Sequence, residues 1–378
     1  MTTHAPLVLN EDQELLAKTA ADFIASKSPV RRMRELRDNN DPDGFSRELW
    51  KEMADLGWAG ILFSEELGGA DLGMAELVTV LEALGRNLAP EPFLSTVLLA
   101  GQALRLGGSE SQQKDWLPGL VAGEKILALA YQERNSRYDL GAVETKAEPD
   151  GDGFLLYGEK IQVLDAHAAD AIIVSARGSG GVSLFLVPKG APGIEIVRQS
   201  RVDGRNAAIV RLDRVSAAKS DLVGGIGAGR DLLERVVDLA TVGLCAEMLG
   251  AMSESLDQTL AHLKTRVQFD VPIGSFQALK HRAADMFIEV ELCRSAVMAA
   301  ARAVDEESEE AGKLISLAKA RCSEAFVLVT NEAVQMFGGV GMTDEYDIGF
   351  YMKRARAAEM TFGDAAWHRD RWARLSGY

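Results

Sequence analysis

Residues 335–343 read Gln-Met-Phe-Gly-Gly-Val-Gly-Met-Thr, and residues 361–364 read Thr-Phe-Gly-Asp. Helix-like sequence precedes the first glycine run, and an amphipathic segment separates this run from the second glycine break. Glycine is the residue found most often where a helix ends in a left-handed conformation. The order of helix, break, helix and break predicts that two helix ends lie close together, at a place where a ligand could bind.

The composition is that of an acidic globular protein. The chain has 378 residues, of which 47% are hydrophobic, and this length predicts two or three domains. Its formal net charge of −15 opposes binding to a phosphate backbone. The dense basic cluster at 31–34 has the pattern of a solvated helix face. We therefore expect no nucleic-acid partner.

The cysteines and the first residues give no sign of a metal site, a secretion signal or a membrane span. Cys245, Cys293 and Cys322 lie in apolar, helix-like sequence without metal-ligand spacing, as expected of buried thiols in a reducing cytoplasm. The first residues lack a basic start followed by an apolar run, and acidic residues interrupt the most apolar region, at 236–252. The prediction is a cytoplasmic protein without bound metal and without membrane insertion.

Periodicity predicts three consecutive domains in an α+β fold. From Asn10 onward apolar residues recur at helical spacing, and Asn10 can cap the first helix. Short apolar runs separated by Gly and Pro turns then predict an antiparallel sheet or small barrel. Long helices with apolar stripes follow at about 230–264, 275–304 and 312–337, as in an antiparallel bundle. The predicted domains are an N-terminal helical domain (1–126), a middle antiparallel β-domain (127–229) and a C-terminal four-helix bundle (230–378).

A second informative stretch lies at the end of the helix predicted to start near 230. Residues 266–273 read Arg-Val-Gln-Phe-Asp-Val-Pro-Ile, and Gln277 follows. This stretch resembles the Arg-x-x-Phe-Gly-x-Pro-Ile-x-x-x-Gln segment of the acyl-CoA dehydrogenase family, with Asp270 in place of the glycine. Residues 335–341 likewise resemble the family's Gln-x-Phe-Gly-Gly-x-Gly turn. The order of helices, sheet and helical bundle matches that family over nearly the whole chain.

The resemblance implies FAD as the cofactor and indicates which residues would bind it. In the family, the arginine and the glycine turn reach across a subunit boundary to the adenosine diphosphate half of an FAD that a neighbouring chain holds. Arginine suits this task because its guanidinium can bind a diphosphate through two hydrogen bonds. The alternative for this arginine is an ion pair at a helix end. The corresponding residues here are Arg266, Phe269, Gln277, Gln335, Gly338 and Gly339.

The half of the flavin site that a family member builds for its own flavin ring is poorly matched. The family's Thr-Glu-Pro-Gly-x-Gly-Ser-Asp loop corresponds to residues 132–139, where Glu133 and Asp139 match and both glycines are replaced. Bulkier residues there obstruct a place where the backbone must approach a flavin or thioester. The family's Trp-Ile-Thr-Asn corresponds to residues 162–165, where Leu164 has no hydroxyl to donate toward the flavin.

The resemblance also shows that the catalytic base of the family is replaced. The family's Glu-Gly-Thr signature, whose glutamate removes the substrate proton, corresponds to residues 362–364. Phe362 stands in the glutamate's place, and a phenyl ring cannot accept a proton. Some members carry the base on the preceding long helix, but the matching position here is Ala240. The carboxylates that could replace the base are Asp364 and Glu359.

The resemblance implies an acyl-CoA substrate, α,β-dehydrogenation and an electron-transfer partner. Asp238 matches a family aspartate near the coenzyme A arm, although a lone acid on a helix could equally be a surface charge. The pattern of losses favours the non-catalytic or weakly catalytic small subunit of a heteromeric α2β2 enzyme, similar to the paired subunits of pimeloyl-CoA and steroid side-chain dehydrogenation. A homologous catalytic subunit would supply the base, in fatty acid or steroid catabolism. The alternatives are a self-sufficient homotetramer that uses Asp364, and a non-redox coenzyme A-binding or structural subunit.

Overall fold

The computed structural model describes residues 7–378 and combines long helices with an eight-stranded sheet. This part of the chain forms two compact units, a helical unit (residues up to 34, 73–89 and 241–378) and a sheet-containing unit (35–72 and 90–240). The predicted fold class is confirmed, because helical, β and helical regions follow one another along the chain. The boundaries of the three predicted domains stay a prediction.

The predicted long helices are confirmed as α7, α8 and α9, with small shifts at their ends. A π-helix at Phe93–Gly101 runs directly into α5. In chain order the α-helices are α1 (Glu11–Lys27), α2 (Val30–Asp38), α3 (Arg47–Asp55), α4 (Met74–Arg86), α5 (Gln102–Gly107), α6 (Glu110–Val121), α7 (Gly229–Thr265), α8 (Gln277–Asp305), α9 (Ala311–Phe337), α10 (Ile348–Met360) and α11 (Ala365–Leu375).

Close helix contacts in the helical unit depend on a glycine and on side-chain caps. A Cβ atom at Gly250 would lie 1.9 Å from the Glu82 carbonyl oxygen, so α4 and α7 can pack this closely only without a side chain there. Asp305, at the end of α8, accepts hydrogen bonds of 2.6 and 2.9 Å from the first two N–H groups of α4. Asn10 caps α1 as predicted, since its side chain accepts a 2.8 Å hydrogen bond from the Gln13 N–H.

The sheet is mixed, and the purely antiparallel prediction is corrected on this point. Its strand order is β6-β7-β3-β2-β4-β5-β8, with β1 beside β4. β1 pairs with β4 in parallel, because the β2–β3 hairpin lies between them in the chain and the chain re-enters the sheet in the same direction. The strands are β1 (Leu127–Ala130), β2 (Lys146–Asp150), β3 (Gly153–Leu164), β4 (Ala171–Gly178), β5 (Gly181–Pro188), β6 (Ile194–Gln199), β7 (Ala207–Ala217) and β8 (Leu222–Val223), followed by a separate hairpin of β9 (Val267–Gln268) and β10 (Val271–Pro272).

Helix α7 is long and apolar enough to cross a membrane by length and composition alone. Its most apolar window, however, is 89% buried inside the protein. A helix in the core of a globular protein passes the same test, and the burial is that of a core helix. The three cysteines are free thiols and are buried in the helical unit. Within residues 7–378, no group of three or more His, Cys, Asp or Glu side chains could hold a metal ion.

Candidate functional site

The glycine turn that ends α9 faces open space. Gln335 is exposed in the last turn of α9, and Gly338 ends the helix with a φ of 70°. This positive φ explains the glycine at 338. Gly339 has no positive φ, and a Cβ atom at either glycine would have nothing within 4 Å. The packing of the described chain therefore does not require Gly339, and glycine leaves the backbone accessible to a group from outside this chain.

Arg266 and the hairpin after α7 form a second exposed feature. The Arg266 N–H donates to the His262 carbonyl oxygen at 2.9 Å and extends the last turn of α7. Phe269 and Asp270 form the two-residue turn of the hairpin with φ values of 54° and 62°, a geometry that favours glycine. Aspartate tolerates this region better than most residues, which accounts for Asp270 where the family has glycine. Phe269 is 86% exposed.

Two contacts place these features at one end of the helical unit. The rings of His262 on α7 and Phe337 on α9 stack with their centroids 4.3 Å apart. Arg282 on α8 forms an ion pair with Glu332 on α9, one turn before Gln335. The ends of α7 and α9 and the start of α8 therefore lie together. We call the exposed residues of this end the cofactor arm: Arg266, Phe269, Gln277, Gln335, Gly338 and Gly339.

The side chain of Arg266 decides between the two interpretations that its sequence left open. Among residues 7–378 its guanidinium has no ion-pair or hydrogen-bond partner. The alternative of an ion pair at the helix end therefore finds no partner among these residues. An exposed guanidinium beside an open glycine backbone is suited to an anionic ligand.

The second glycine break lies toward the opposite end of α9. Lys319 Nζ donates a 2.7 Å hydrogen bond to the Gly363 carbonyl oxygen. Lys319 and Gln335 are separated by about 24 Å along the helix axis. The two breaks therefore do not meet at one ligand site. The start of α10 does lie beside the first break, because a Cβ atom at Gly349 would be 3.4 Å from the Gly341 carbonyl oxygen.

Phe362, at the position of the family's base, is fixed in a buried turn. It is 6% exposed and has a φ of 61°, a conformation that costs a bulky residue about 1–3 kcal/mol. Its carbonyl oxygen accepts a 3.1 Å hydrogen bond from Nε2 of His368. Burial and then the charge of Lys319 lower the pKa of His368 to about 3, so this ring is neutral. Burial lowers the pKa of Lys319 to about 8, which leaves it mostly protonated at neutral pH.

The two carboxylates considered as replacement bases have structural roles. Asp364 caps α11, since its Oδ1 accepts a 2.9 Å hydrogen bond from the Trp367 N–H. Glu359 forms an ion pair with Arg356, with 3.3 Å between Oε2 and Nη1. Ala240, at the alternative base position, is fully buried. Sequence reasoning missed the cap, although an aspartate just before Ala-Ala-Trp is a common helix start.

In the sheet-containing unit, a buried ion pair anchors the loop that follows β1. Lys160 Nζ lies 2.6 Å from Glu133 Oε1, and it also donates to Ser175 Oγ at 2.8 Å. Glu133 accepts further hydrogen bonds from the N–H and hydroxyl groups of Thr145. Burial alone would raise the pKa of Glu133, but the charge and hydrogen bonds of Lys160 and Thr145 outweigh it and lower that pKa. Sequence reasoning found Glu133 but missed Lys160, whose signal is a lysine at a buried position of β3.

Residues 162–165 are taken up by packing within the chain. Leu164, predicted at the place of the hydroxyl donor, is 6% exposed. Gln162 and Asp165 have positive φ values of 54° and 53°. Asp165 Oδ2 accepts a 2.5 Å hydrogen bond from Ser95 Oγ. Leu164 therefore offers little surface to a flavin ring.

Asp238 is not part of the cofactor arm. It is partly exposed and lies in the first third of α7, within the sheet-containing unit. Its role at the coenzyme A arm stays a prediction.

Three family models match consecutive parts of the chain. Residues 10–124 match the N-terminal domain of acyl-CoA dehydrogenases, residues 128–215 the middle domain and residues 227–376 the C-terminal domain. The chain belongs to the acyl-CoA dehydrogenase family. These enzymes are FAD-dependent oxidoreductases. The relevant question is therefore whether the residues of the cofactor arm could bind FAD.

Known relatives extend over nearly the whole chain. The acyl-CoA dehydrogenase FadE27 of Mycobacterium tuberculosis is 32% identical, over 93% of this chain and 92% of its own length. A chain of the ChsE4–ChsE5 complex from Mycobacterium tuberculosis has a TM-score of 0.90 and 30% identity, over 99% of both chains. The FAD complex of PigA has a TM-score of 0.89 and 26% identity, over 99% of both chains.

The cofactor arm fits the adenosine diphosphate half of FAD. Arg266 supplies an exposed cation without a partner among the described residues, and Gly339 supplies backbone that no Cβ atom shields. Both features favour the binding of a diphosphate. FAD supplies the hydride acceptor in acyl-CoA dehydrogenation, and the protein must supply a proton acceptor. At position 362 this chain supplies none.

Proposed function

We propose that this chain is the non-catalytic or weakly catalytic subunit of a heteromeric acyl-CoA dehydrogenase, with α2β2 composition. It clamps the adenosine end of FAD with Arg266 and the turn at 338–339, while a homologous partner subunit supplies the base and the thioester pocket. The observation that carries this proposal is the contrast between the two ends of α9. The cofactor arm at one end is exposed, and Phe362 at the other end is buried and has no proton acceptor.

Without the base the reaction rate should fall far enough to favour a supporting role for this chain over a catalytic one. A positioned general base contributes roughly 10²–10⁴-fold to a rate. Asp364 is shorter than a glutamate and already caps α11, so its use as the base would break its hydrogen bond with the Trp367 N–H. Moving the turn would also break the hydrogen bonds from Lys319 and His368 to its carbonyl groups. The turn is therefore held in an arrangement without a base.

The residues at the positions that contact the flavin ring in the family support the same conclusion. Leu164 offers neither a hydroxyl group nor an accessible surface. Glu133 is used to anchor the 132–139 loop and is not available to a ligand. The family's binding residues that this chain retains are mainly those for the adenosine diphosphate half of FAD, with Asp270 as the one replacement noted there.

The relatives support a heteromeric assembly. ChsE4–ChsE5 is a complex of two differently named chains, and one of its chains covers 99% of this one. The proposed substrate is an acyl-CoA thioester of fatty acid or steroid catabolism. The proposed assembly acts in the cytoplasm and passes electrons to an electron-transfer partner.

The proposal is tested by flavin retention in a complex co-expressed with a homologous catalytic subunit. Arg266→Ala should lower the affinity of the complex for FAD by roughly 10–100-fold, since a charge-assisted hydrogen bond contributes about 1.5–3 kcal/mol. Lys264→Ala is the matched control, because Lys264 is exposed and lies two residues away. It should leave the affinity unchanged. Equal FAD affinity in the Arg266 variant and the wild type would contradict the clamping role.

The rival with an observation in its favour is a homotetramer that uses Asp364, which is only half-buried. Asp364→Asn keeps a side chain that caps helices equally well, so the fold should be preserved. If the isolated protein has activity and this variant abolishes it, the rival is correct. The proposed function instead predicts little turnover by the isolated chain and no further loss on this substitution. A non-redox subunit would stay colourless after mixing with FAD and the partner, whereas the proposal predicts a yellow complex.

A further inference from the structure

His262 connects the two exposed parts of the cofactor arm. It lies one helical turn before Arg266, and its ring stacks on Phe337 with an interplanar angle of 14°. Phe337 directly precedes Gly338 and meets the Tyr346 ring edge-on at 5.5 Å. The imidazole is thus held between the guanidinium and the glycine turn.

The ring nitrogens of His262 are available to a ligand. Stacking engages the face of the ring and leaves its edge, where both nitrogens lie. Within the described part of the chain neither nitrogen has a hydrogen-bond partner, and the residue is partly exposed. His368 shows the contrast, because it is 1% exposed and its Nε2 is bonded to a backbone carbonyl. Packing alone would not require a histidine whose ring edge is exposed at this position.

The surroundings of His262 favour the neutral ring until an anion arrives. Burial and then the charge of Arg266 lower the pKa of His262 below its ordinary value. The facing group from α9 is the Phe337 ring, and the turn after α9 contributes the Tyr346 ring beyond it. Among the described residues, Arg266 is the only charged group that shifts this pKa. A bound diphosphate would oppose the charge of Arg266 and favour the protonated imidazole.

We propose that His262 is a further phosphate-binding residue, which donates a ring N–H to the cofactor diphosphate and takes up a proton as the diphosphate binds. The inference rests on the proposed function, because it places a diphosphate at the cofactor arm. Binding then tightens as the pH falls through the pKa that His262 has in the complex. Each unit by which the diphosphate raises that pKa gives up to about a tenfold gain in affinity.

The test uses ADP as the probe and the flavin-free complex of this chain with a homologous catalytic subunit, because the isolated chain is expected to hold almost no cofactor. ADP affinity is measured by calorimetry near pH 6 and near pH 8, around the ordinary histidine pKa. The wild type should bind roughly 3–10-fold more tightly at the lower pH. His262→Phe keeps a ring for stacking and should remove the gain in affinity at the lower pH, leaving only the dependence that the titration of the terminal phosphate of ADP causes. His281→Phe, which replaces an exposed histidine on α8, is the control and should keep the gain.

A second measurement needs no substitution. The pKa of His262 is followed by NMR through its ring protons, with and without ADP, and it should rise when ADP binds. If ADP binds but the pKa of His262 is unchanged, or if His262→Phe keeps the gain in affinity at the lower pH, the inference is wrong and the proposed function stands. If ADP binds neither the wild type nor any variant, both the inference and the cofactor arm are contradicted.

Discussion

Replacing Lys160 with methionine removes the cation of a buried ion pair and keeps most of the side-chain volume. Lys160 is fully buried, and its Nζ lies 2.6 Å from Oε1 of Glu133, whose side chain is 5% exposed. The carboxylate keeps its hydrogen bonds from Thr145 but loses the cation that it contacts. A buried charge left without its partner typically costs about 3–5 kcal/mol. We expect Lys160→Met to lower the free energy of unfolding by about that amount.

A double-mutant cycle separates the buried charge from the lost hydrogen bonds. Glu133→Gln alone should cost less than Lys160→Met, because burial already lowers the pKa of Lys160 to about 8 and the amine can lose its proton. The double variant leaves no buried charge and should recover part of the loss, with a coupling of about 1–3 kcal/mol. Lys146→Met, at an exposed position of β2, is the control and should change stability by less than about 0.5 kcal/mol.

The assay is urea unfolding at neutral pH, followed by far-UV circular dichroism. A loss of less than about 1 kcal/mol in Lys160→Met, the value of a solvated surface pair, would refute the role of this buried pair. Additive losses of stability in the double variant would refute this role as well, because they would mean that Lys160 and Glu133 do not stabilise each other.

Three further predictions concern the helical unit. Lys319→Met should cost about 2–4 kcal/mol by leaving buried carbonyl groups unpaired, as measured by urea unfolding. The pKa of Lys319 is lowered to about 8 in the folded protein, so above that pH the unfolded wild type binds more protons than the folded one. The free energy of unfolding of the wild type should therefore rise relative to that of the variant by up to about 3 kcal/mol between about pH 8 and 10. Gly339→Ala should leave thermal stability unchanged but weaken FAD binding. Gly85→Ala is the contrasting variant and should destabilise the fold, because its Cβ atom would lie 2.1 Å from the Glu247 carbonyl oxygen. The reverse pattern would contradict a role of Gly339 in binding a group from outside this chain. Asp364→Ala should lose about 1 kcal/mol of stability and Asp364→Asn almost none, and equal losses in thermal unfolding would argue against the cap.

The helical parts of the fold could be predicted because their signals are local. Asn10 forms the cap that the sequence indicated, and the apolar stripes predicted the long helices α7, α8 and α9. Strand β2 gave no such signal, because most of its residues are exposed and it includes Pro149. The parallel pairing of β1 with β4 was missed for another reason. It joins Leu127 to Ala171 across a hairpin, and no local pattern reports such a pairing.

The candidate site was predicted in its residues but not in its arrangement. The motifs identified Arg266 and the turn at 338–339, yet the structure was needed to show, through the stacking of His262 on Phe337 and the Arg282–Glu332 ion pair, that they share one end of the unit. Periodicity could not show that α10 carries the second glycine break toward Lys319. The sequence also could not distinguish a capping aspartate from a catalytic one, because both uses need the same carboxylate.

In the proposed assembly two chains share one active site, and flavin content tests this most directly. The isolated chain and the complex with a homologous catalytic subunit are each purified, and the ratio of FAD to protomer and the turnover of acyl-CoA are measured. We expect a nearly colourless, inactive isolated chain and a yellow, active complex, and removal of this chain from the complex should release FAD. An isolated chain that holds one FAD per protomer and oxidises acyl-CoA would contradict this assembly.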